Sequence, residues 1–502
     1  MVKEIIKYFA DIKRYLCKNK IQELYRQIST FPITAIPKKT DTKSAVIVMP
    51  WLNTDVPWYS IVIAIFWRQS GEIVDLIIDD MPFACNANGL ILSFIKLIAN
   101  KLSNRFEVIN LKNYTSYSKI NKDDEIIITN ACKLNSIWQT KGESDIKVRR
   151  EYELLIRPQM VEIFKAIDSL VSAKKYDCIL IPGGIYGSTS LWVDRANWYG
   201  SRIASFDSGG KERLLFAANG IASQLQDIPK AYRLLITKVK SKEEDDFIKN
   251  KVFEELEKRK KGKDRFSSQL IATNEKLMNN GKNILVAMNS SWDSAALGLH
   301  TIFDSNTEWL KETIKWISVN TDYNMVIRQH PAERFKEGRS SDNYKLIINN
   351  EFGNTDRIVF IGANDPINTY DLILNTDLVI VYASTLGVEA SVLGKPVIVP
   401  SSCYYADLGF VLNPQNISEY FEMIKKVTST SYIFNGACSQ MAIYCYYITQ
   451  CCNWISTPFS PESYDVWSKY NINTLYSLES VQLILKSLTN NVPISYLNHK
   501  FD

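Results

Sequence analysis

Residues 379–399 read VIVYASTLGVEASVLGKPVIV. An apolar run leads into a Ser-Thr-x-Gly turn, a short stretch carrying Glu389, a Gly-Lys-Pro turn and a second apolar run. Apolar runs of strand length alternating with short helices mark a parallel α/β sheet. The polar residues gather where strands end, and that is where open α/β sheets bind ligands. A helix starting there offers N–H groups and a positive dipole end to a phosphate. Ser384 and Thr385 are candidate phosphate donors, with N-capping as their alternative role. Glu389, about one turn in, can accept from both hydroxyls of a ribose or simply complement the dipole.

Upstream, VIRQHPAE (326–333) closes another expected strand. Arg328 and His330 are two residues apart and so share a strand face. Pro331 fixes the backbone direction after His330. His330 is one of three histidines, with His300 and His499, so a catalytic histidine network is not available. It reads as a donor to a departing phosphate, or else as a cap on a loop carbonyl. The series begins at NILVAMN (283–289) and opens into NSSWDSAALG (289–298). Asn289, Ser290 and Ser291 are candidate ligands of donor phosphates, while Asp293 reads as a helix cap. No Gly-x-Gly-x-x-Gly occurs in this loop, so a dinucleotide fingerprint is not assigned. Helices are expected near 308–319, 370–374 and 417–428, and strands at 324–329, 357–362, 377–383 and 396–400.

The first half repeats the plan without repeating the sequence. SAVIVM (44–49) opens into PWLNTDVPW, a helix is expected over 59–69, and EIVDLII (72–78) follows, ending at Asp79-Asp80. Further strands are expected at 124–128, 177–181 and 202–206, with a helix over 147–173. The last two strands open into PGGIYG (182–187) and DSGG (207–210). A general base is expected from this half. Asp55, Asp79, Asp80 and Asp207 all follow expected strands. Asp207 precedes Ser-Gly-Gly, which permits close backbone approach. Asp55 lies among Trp51, Trp58 and Tyr59, which can stack on a sugar. Asp55 and Asp207 are the catalytic candidates, each with a turn role as its alternative.

At 502 residues and 46% hydrophobic content, the chain is long enough for two domains with substantial cores. A net charge of +5 argues against nucleic acid as a partner. Nine cysteines without a CxxC pair, and three histidines, give no metal-ligand spacing, so no metal or other cofactor is expected. The cysteine-rich AIYCYYITQCCNWI (442–455) reads as a buried helix with reduced thiols. Residues 2–28 form a basic amphipathic helix that packs on its own domain or lies on a membrane surface. The Lys/Glu-dense stretch 237–280 reads as a solvated connector. The expected division is 1–236, 237–280, 281–460, and a tail 461–502 packing back on the first domain. No secretion signal is evident, and the expectation is a cytoplasmic protein, with contact to the inner membrane face left open.

Taken together, NSSWDSAALG, Phe303 with Trp309-Leu310 and ETIKW, VIRQHPAE, YASTLGVEASVLGKPVIV and YYADLGF (404–410) resemble the bacterial capsule polysaccharide biosynthesis proteins. The resemblance covers roughly 283–413, with a weaker echo in PWYSIVIAIFWRQSG (57–71) and around PGG. It implies a glycosyltransferase of the GT-B type: two Rossmann-like domains facing across a cleft. His-Pro with a Ser/Thr pair also resembles the donor site of sialyl- and Kdo-type transferases. That implies His330, Ser384 and Thr385 on the donor phosphate and Glu389 on the nucleoside. The acidic-acidic-Gly base motif of some sialyltransferases is missing, since Met81 follows Asp79-Asp80. The partners implied are a nucleotide-sugar donor, among them a CMP-sugar, and a polysaccharide or lipid-linked saccharide acceptor. Two alternatives stay open: a nucleotide-sugar epimerase of the same fold, and a non-catalytic scaffold of polysaccharide assembly.

Overall fold

Two mainly parallel sheets organise the chain, each built from short strands rich in apolar residues. The structure is a computed structural model and describes residues 21–36, 43–51, 54–81, 89–116, 119–264, 282–353, 355–429, 435–462 and 466–501. Contacts divide the chain into two compact units. Unit 1 comprises Met1–Cys132, Glu153–Asp227 and Asn453–Asn498; unit 2 comprises Lys133–Tyr152, Ile228–Cys452 and His499–Asp502. Both are Rossmann-like, the α/β class expected.

Unit 1 holds β1 (Ser44–Val48), β2 (Val74–Ile78), β3 (Val108–Asn110), β4 (Cys178–Pro182), β5 (Arg202–Ser208) and β6 (Arg213–Ala217). The late strand β12 (Ile455–Ser456) completes a sheet of order β12-β6-β5-β4-β1-β2-β3. β1 to β5 run parallel, and the β6 edge is antiparallel on both sides. β1, β2 and β4 are buried at every position, as expected of strands covered on both faces. The helix Val56–Gln69 packs Trp58, Phe66 and Trp67 into this core. Residues from beyond 470, including Leu475, Ile484, Leu488 and Ile494, fill the same core. The helix Ile21–Thr30 buries Ile21, Leu24 and Ile28 in it, and its Gln27 accepts from Ile472 N–H at 2.9 Å. That end of the basic helix therefore packs on its own unit; residues 1–20 lie outside the described ones.

One expected strand is a helix. Residues 124–128 fall inside Lys122–Thr140. Asn121 Oδ1 caps its first turn by accepting from Asp123 and Asp124 N–H, and three acidic residues there complement the dipole. β3, β6 and β12 were not anticipated; β3 and β12 have only three and two residues, whereas β6 is a five-residue, mostly apolar strand.

Unit 2 holds β7 (Asn283–Ala287), β8 (Asn324–Arg328), β9 (Ile358–Ile361), β10 (Leu378–Val381) and β11 (Val397–Ile398), in the order β11-β10-β7-β8-β9, all parallel. β8 and β9 lie on one side of β7, and β10 and β11 on the other. The strand order therefore reverses beside β7, where such sheets bind ligands. The charged stretch does more than connect. Its helix Lys242–Lys260 starts with a Ser241–Glu244 capping box and buries Ile248, Val252 and Leu256 within unit 2. The remainder of that stretch, beyond residue 264, lies outside the described residues. The cysteine-rich segment forms the helix Gly436–Tyr446 followed by a π-helical turn, Tyr447–Cys452. Among the described residues its thiols form no disulfide, and burial pushes those of Cys445 and Cys452 up.

Candidate functional site

The carboxyl ends of β7, β8 and β10 enclose a pocket with about 560 Å3 of open space. His330, Arg328, Ser384, Thr385 and Glu389 all line it, as do Gln329, Thr369, Tyr370 and Arg259. Five residues singled out from separate motifs thus meet at one place.

His330 is held by its own turn. Its Nδ1 accepts from Ala332 N–H at 3.3 Å, capping the 3-10 turn Pro331–Arg334. The cap is on an N–H, not on the loop carbonyl of the alternative role. Burial, and then the nearby Arg259 and Arg328 charges, push its pKa below the usual histidine value, against an opposing pull from Asp293. A neutral imidazole with Nδ1 accepting carries its proton on Nε2, so the ring is a donor.

Arg328 is 3% exposed, and much of its guanidinium is engaged. Nε donates to Thr369 Oγ1 at 3.4 Å, and the two terminal nitrogens donate to the carbonyls of Gly362 and Ile367. The side chain therefore ties β8 to the loop after β9. Among the described residues no carboxylate comes within ion-pair distance, and burial lowers its pKa to about 10. It contributes a buried positive charge to the pocket.

The Ser384-Thr385 turn differs from the expected open helix end. Ser384 Oγ accepts from Leu386 N–H at 3.2 Å, and the Ser384 carbonyl accepts from Gly387 N–H at 3.1 Å. The helix Leu386–Val392 has seven residues, and its first N–H groups are already satisfied this way. Thr385 makes no side-chain cap bond. The hydroxyls, rather than a helix dipole, are what this turn presents to the pocket.

Glu389 is 1% exposed and accepts from Tyr370 Oη at 2.9 Å. Arg259 Nε donates to Tyr370 Oη at 2.7 Å and lies 3.0 Å from Glu389 Oε1. Burial works against the Arg259 charge, but Glu389, Tyr370, Tyr446 and Asp264 together outweigh it and raise the Arg259 pKa. Arg259 and Tyr370 were missed in the sequence. A partial signal existed for Arg259: three residues after Leu256, it lies on the same side of the helix as the buried stripe Ile248, Val252, Leu256, a placement it shares with Lys260.

Asn289, Ser290 and Ser291 do not line the pocket. Asn289 Oδ1 accepts from Ala383 N–H at 3.0 Å, joining the ends of β7 and β10. Ser290 Oγ donates to Glu333 at 3.2 Å and Ser291 Oγ to Asp342 at 2.7 Å. The buried carboxylates behind the loop attract these hydroxyls, so they brace the site. Glu333 is 3% exposed, and burial raises its pKa to about 7.

In unit 1 a second pocket, with about 580 Å3 of open space, lies at the carboxyl ends of β1, β4 and β5. Trp51, Thr54, Gly183, Asp207, Ser208 and Glu462 are among its walls. This too is a switch point, because β2 and β4 flank β1. Gly183 and Gly184 carry φ of +66° and +133°, and a Cβ on Gly184 would meet Ile221 at 2.9 Å, so the PGG turn needs glycine. Asp207 lines the pocket, and its Oδ1 accepts from Ser208 N–H at 2.7 Å. Asp55 is 1% exposed at the start of its helix and is not a wall residue, although Thr54 and Val56 are. Trp58 and Tyr59 are core residues, so of the three only Trp51 lines the pocket, together with Phe206. Asp79 accepts from Ser188 Oγ at 2.6 Å, and Asp80 pairs with Lys96 at 2.8 Å, so both are structural.

The folds are Rossmann-like throughout, and residues 241–447 match the sequence profile of a family described as capsule polysaccharide biosynthesis protein. The resemblance read from the motifs holds over that segment. No curated protein matches the chain. Among solved structures, the KpsC beta Kdo 2,4 transferase of Thermosulfurimonas dismutans is similar, at 14% identity and a TM-score of 0.37, over 54% of this chain and 79% of that one. The KpsC beta Kdo 2,7 transferase of the same organism gives 16% identity and 0.32, over 56% and 80%. The UDP-GlcNAc 2-epimerase of Neisseria meningitidis bound to UDP-GlcNAc gives 13% identity and 0.29, over 90% and 100%.

Proposed function

We propose that the protein is a glycosyltransferase that moves a sugar from a nucleotide donor to a growing capsule or other cell-surface polysaccharide. The observation that carries this is the pairing of Arg328 and His330. Arg328 is a buried cation with no carboxylate in ion-pair range among the described residues. His330 beside it is a neutral donor fixed through Nδ1. A pocket with those two groups and free-standing hydroxyl chemistry at Thr385 suits a phosphate.

In transfer, an acceptor hydroxyl attacks the anomeric carbon, the bond to the nucleotide breaks, and negative charge grows on the departing phosphate. Fixed donors aimed at that charge lower the barrier without having to reorganise. His330 and Thr385 take that part, with Arg328 supplying the field. Glu389, held by Arg259 and Tyr370, takes the nucleoside hydroxyls. The unit 1 pocket takes the acceptor, with Trp51 against a sugar face and Asp207 as the base. A CMP-sugar is one donor of this class.

The test is product formation from CMP-, UDP- and GDP-sugars with an oligosaccharide acceptor. Transfer that falls at least about a hundredfold in His330→Ala supports the reading. Conversion of a UDP-sugar without acceptor would replace it with an epimerase, and an absence of turnover and nucleotide binding with a scaffold.

A further inference from the structure

A third cavity lies within unit 2. It sits between the end of the helix Lys122–Thr140, the start of Ile146–Lys174 and the first turns of Asn306–Asn320, and holds about 890 Å3 of open space. It shares no wall residue with the pocket around His330.

Its deepest carboxylate is already in use. Glu143 is 3% exposed; its Oε1 lies 3.2 Å from His300 Nε2, and its Oε2 accepts from Asn306 N–H at 2.7 Å. Of the three wall cations, Lys311 pairs with Glu351, and the other two differ. Lys133 and Arg149 are wall residues, and among the described residues neither side chain has a hydrogen-bond or ion-pair partner. Arg149 Nε is buried with no acceptor, and Thr307 Oγ1, also on a wall residue, is buried with no partner. Buried donors without acceptors are rare in folded proteins, and each marks a place where a partner is due. Donors and cations ask for an oxyanion, and the apolar Ile137 and Ile146 beside them suit a carbon skeleton.

We propose that this cavity is a second binding site, for a phosphate or carboxylate group on a small organic ligand, held by Lys133, Arg149 and Thr307. It does not depend on the pocket at His330 being a donor site.

The test is calorimetric titration of the full chain with inorganic pyrophosphate and, separately, with glucuronate. The variants are His330→Ala, Lys133→Gln with Arg149→Gln, and Thr307→Val. The expected result is binding of at least one probe that survives His330→Ala and weakens at least about tenfold in the double variant. Preference for pyrophosphate assigns phosphate; preference for glucuronate assigns carboxylate. Because the two cations have no side-chain bond among the described residues, the double variant should melt like the parent without probe. If it does not fold, Thr307→Val carries the comparison, with several-fold weaker binding expected. Binding lost in His330→Ala alone, unchanged binding in the cavity variants, or no binding of either probe at millimolar concentration would overturn the proposal.

Discussion

Arg259 Nε lies 3.0 Å from Glu389 Oε1, and Tyr370 Oη joins the two by accepting from the arginine and donating to the carboxylate. An ion pair this buried is weak evidence for net stability, but removing one member strands the other. Arg259→Met should therefore destabilise the protein by about 3–5 kcal/mol, because Glu389 at 1% exposure keeps a charge without its partner. Urea unfolding followed by tryptophan fluorescence checks this. Arg259→Met with Glu389→Leu should recover much of the loss; a double variant as weak as the single would mean that packing, not charge, sets the effect.

Arg328 gives a prediction of a different kind. Its guanidinium bonds three separate oxygens: the Gly362 and Ile367 carbonyls and the Thr369 hydroxyl. Lysine keeps the charge and loses the fork. Arg328→Lys should cost about 2 kcal/mol of stability from carbonyls left without donors. Nucleotide binding should weaken as well, by less than in Arg328→Met, which also removes the charge.

The pH dependence follows from His330 and Glu333, which pull in opposite directions. The His330 pKa is below its ordinary value. The unfolded chain therefore binds the proton more readily, and stability is lost as pH falls through about 6.5 and below. The Glu333 pKa is raised from 4.5 to about 7. Its contribution is full below pH 4.5 and is lost as pH rises through 7. Glu333→Gln should thus stabilise the protein at pH 8, on the order of 1–3 kcal/mol, and do little at pH 4.5. Melting temperatures at the two pH values decide it. An equal effect at both would show that the carboxyl is not titrating between them.

For unit 1 the prediction is kinetic. Trp51→Ala should raise KM for the acceptor several-fold while leaving KM for the donor unchanged. Asp207→Asn should lower kcat by a factor on the order of 100 or more with both KM values kept, as expected for loss of a general base. Asp55→Asn, at a position 1% exposed and outside the pocket walls, should act on stability instead. A kcat collapse in Asp55→Asn with Asp207→Asn active would reverse the two assignments.

Much of the fold was legible because its strands are continuous apolar runs. β1, β2, β4 and β7 are buried at every position, and a run bounded by turn residues has few other readings. The failure at 124–128 came from local chemistry: III looks like a strand, but the Asn121 cap and the acidic first turn favour a helix. The site was legible where a motif's residues point into one pocket, as with His330, Ser384, Thr385 and Glu389. It was illegible where a partner comes from far along the chain. Nothing near 289–291 announces that Glu333 and Asp342 will take those hydroxyls. Arg259 was hidden in a run of charge, and its phase with Leu256, three residues away, is shared by Lys260, four residues away.

The central claim is that the pocket at His330 binds the nucleotide of a sugar donor. Its most direct test is a thermal-shift panel of CMP, UDP, GDP and CDP on the purified protein and on His330→Ala. A ligand that binds only the folded state raises the melting temperature by mass action. The account predicts that one nucleotide class stabilises the parent and that the shift disappears in His330→Ala while the variant without ligand still folds. A panel with no shift for any nucleotide, or a shift that His330→Ala leaves intact, would contradict it.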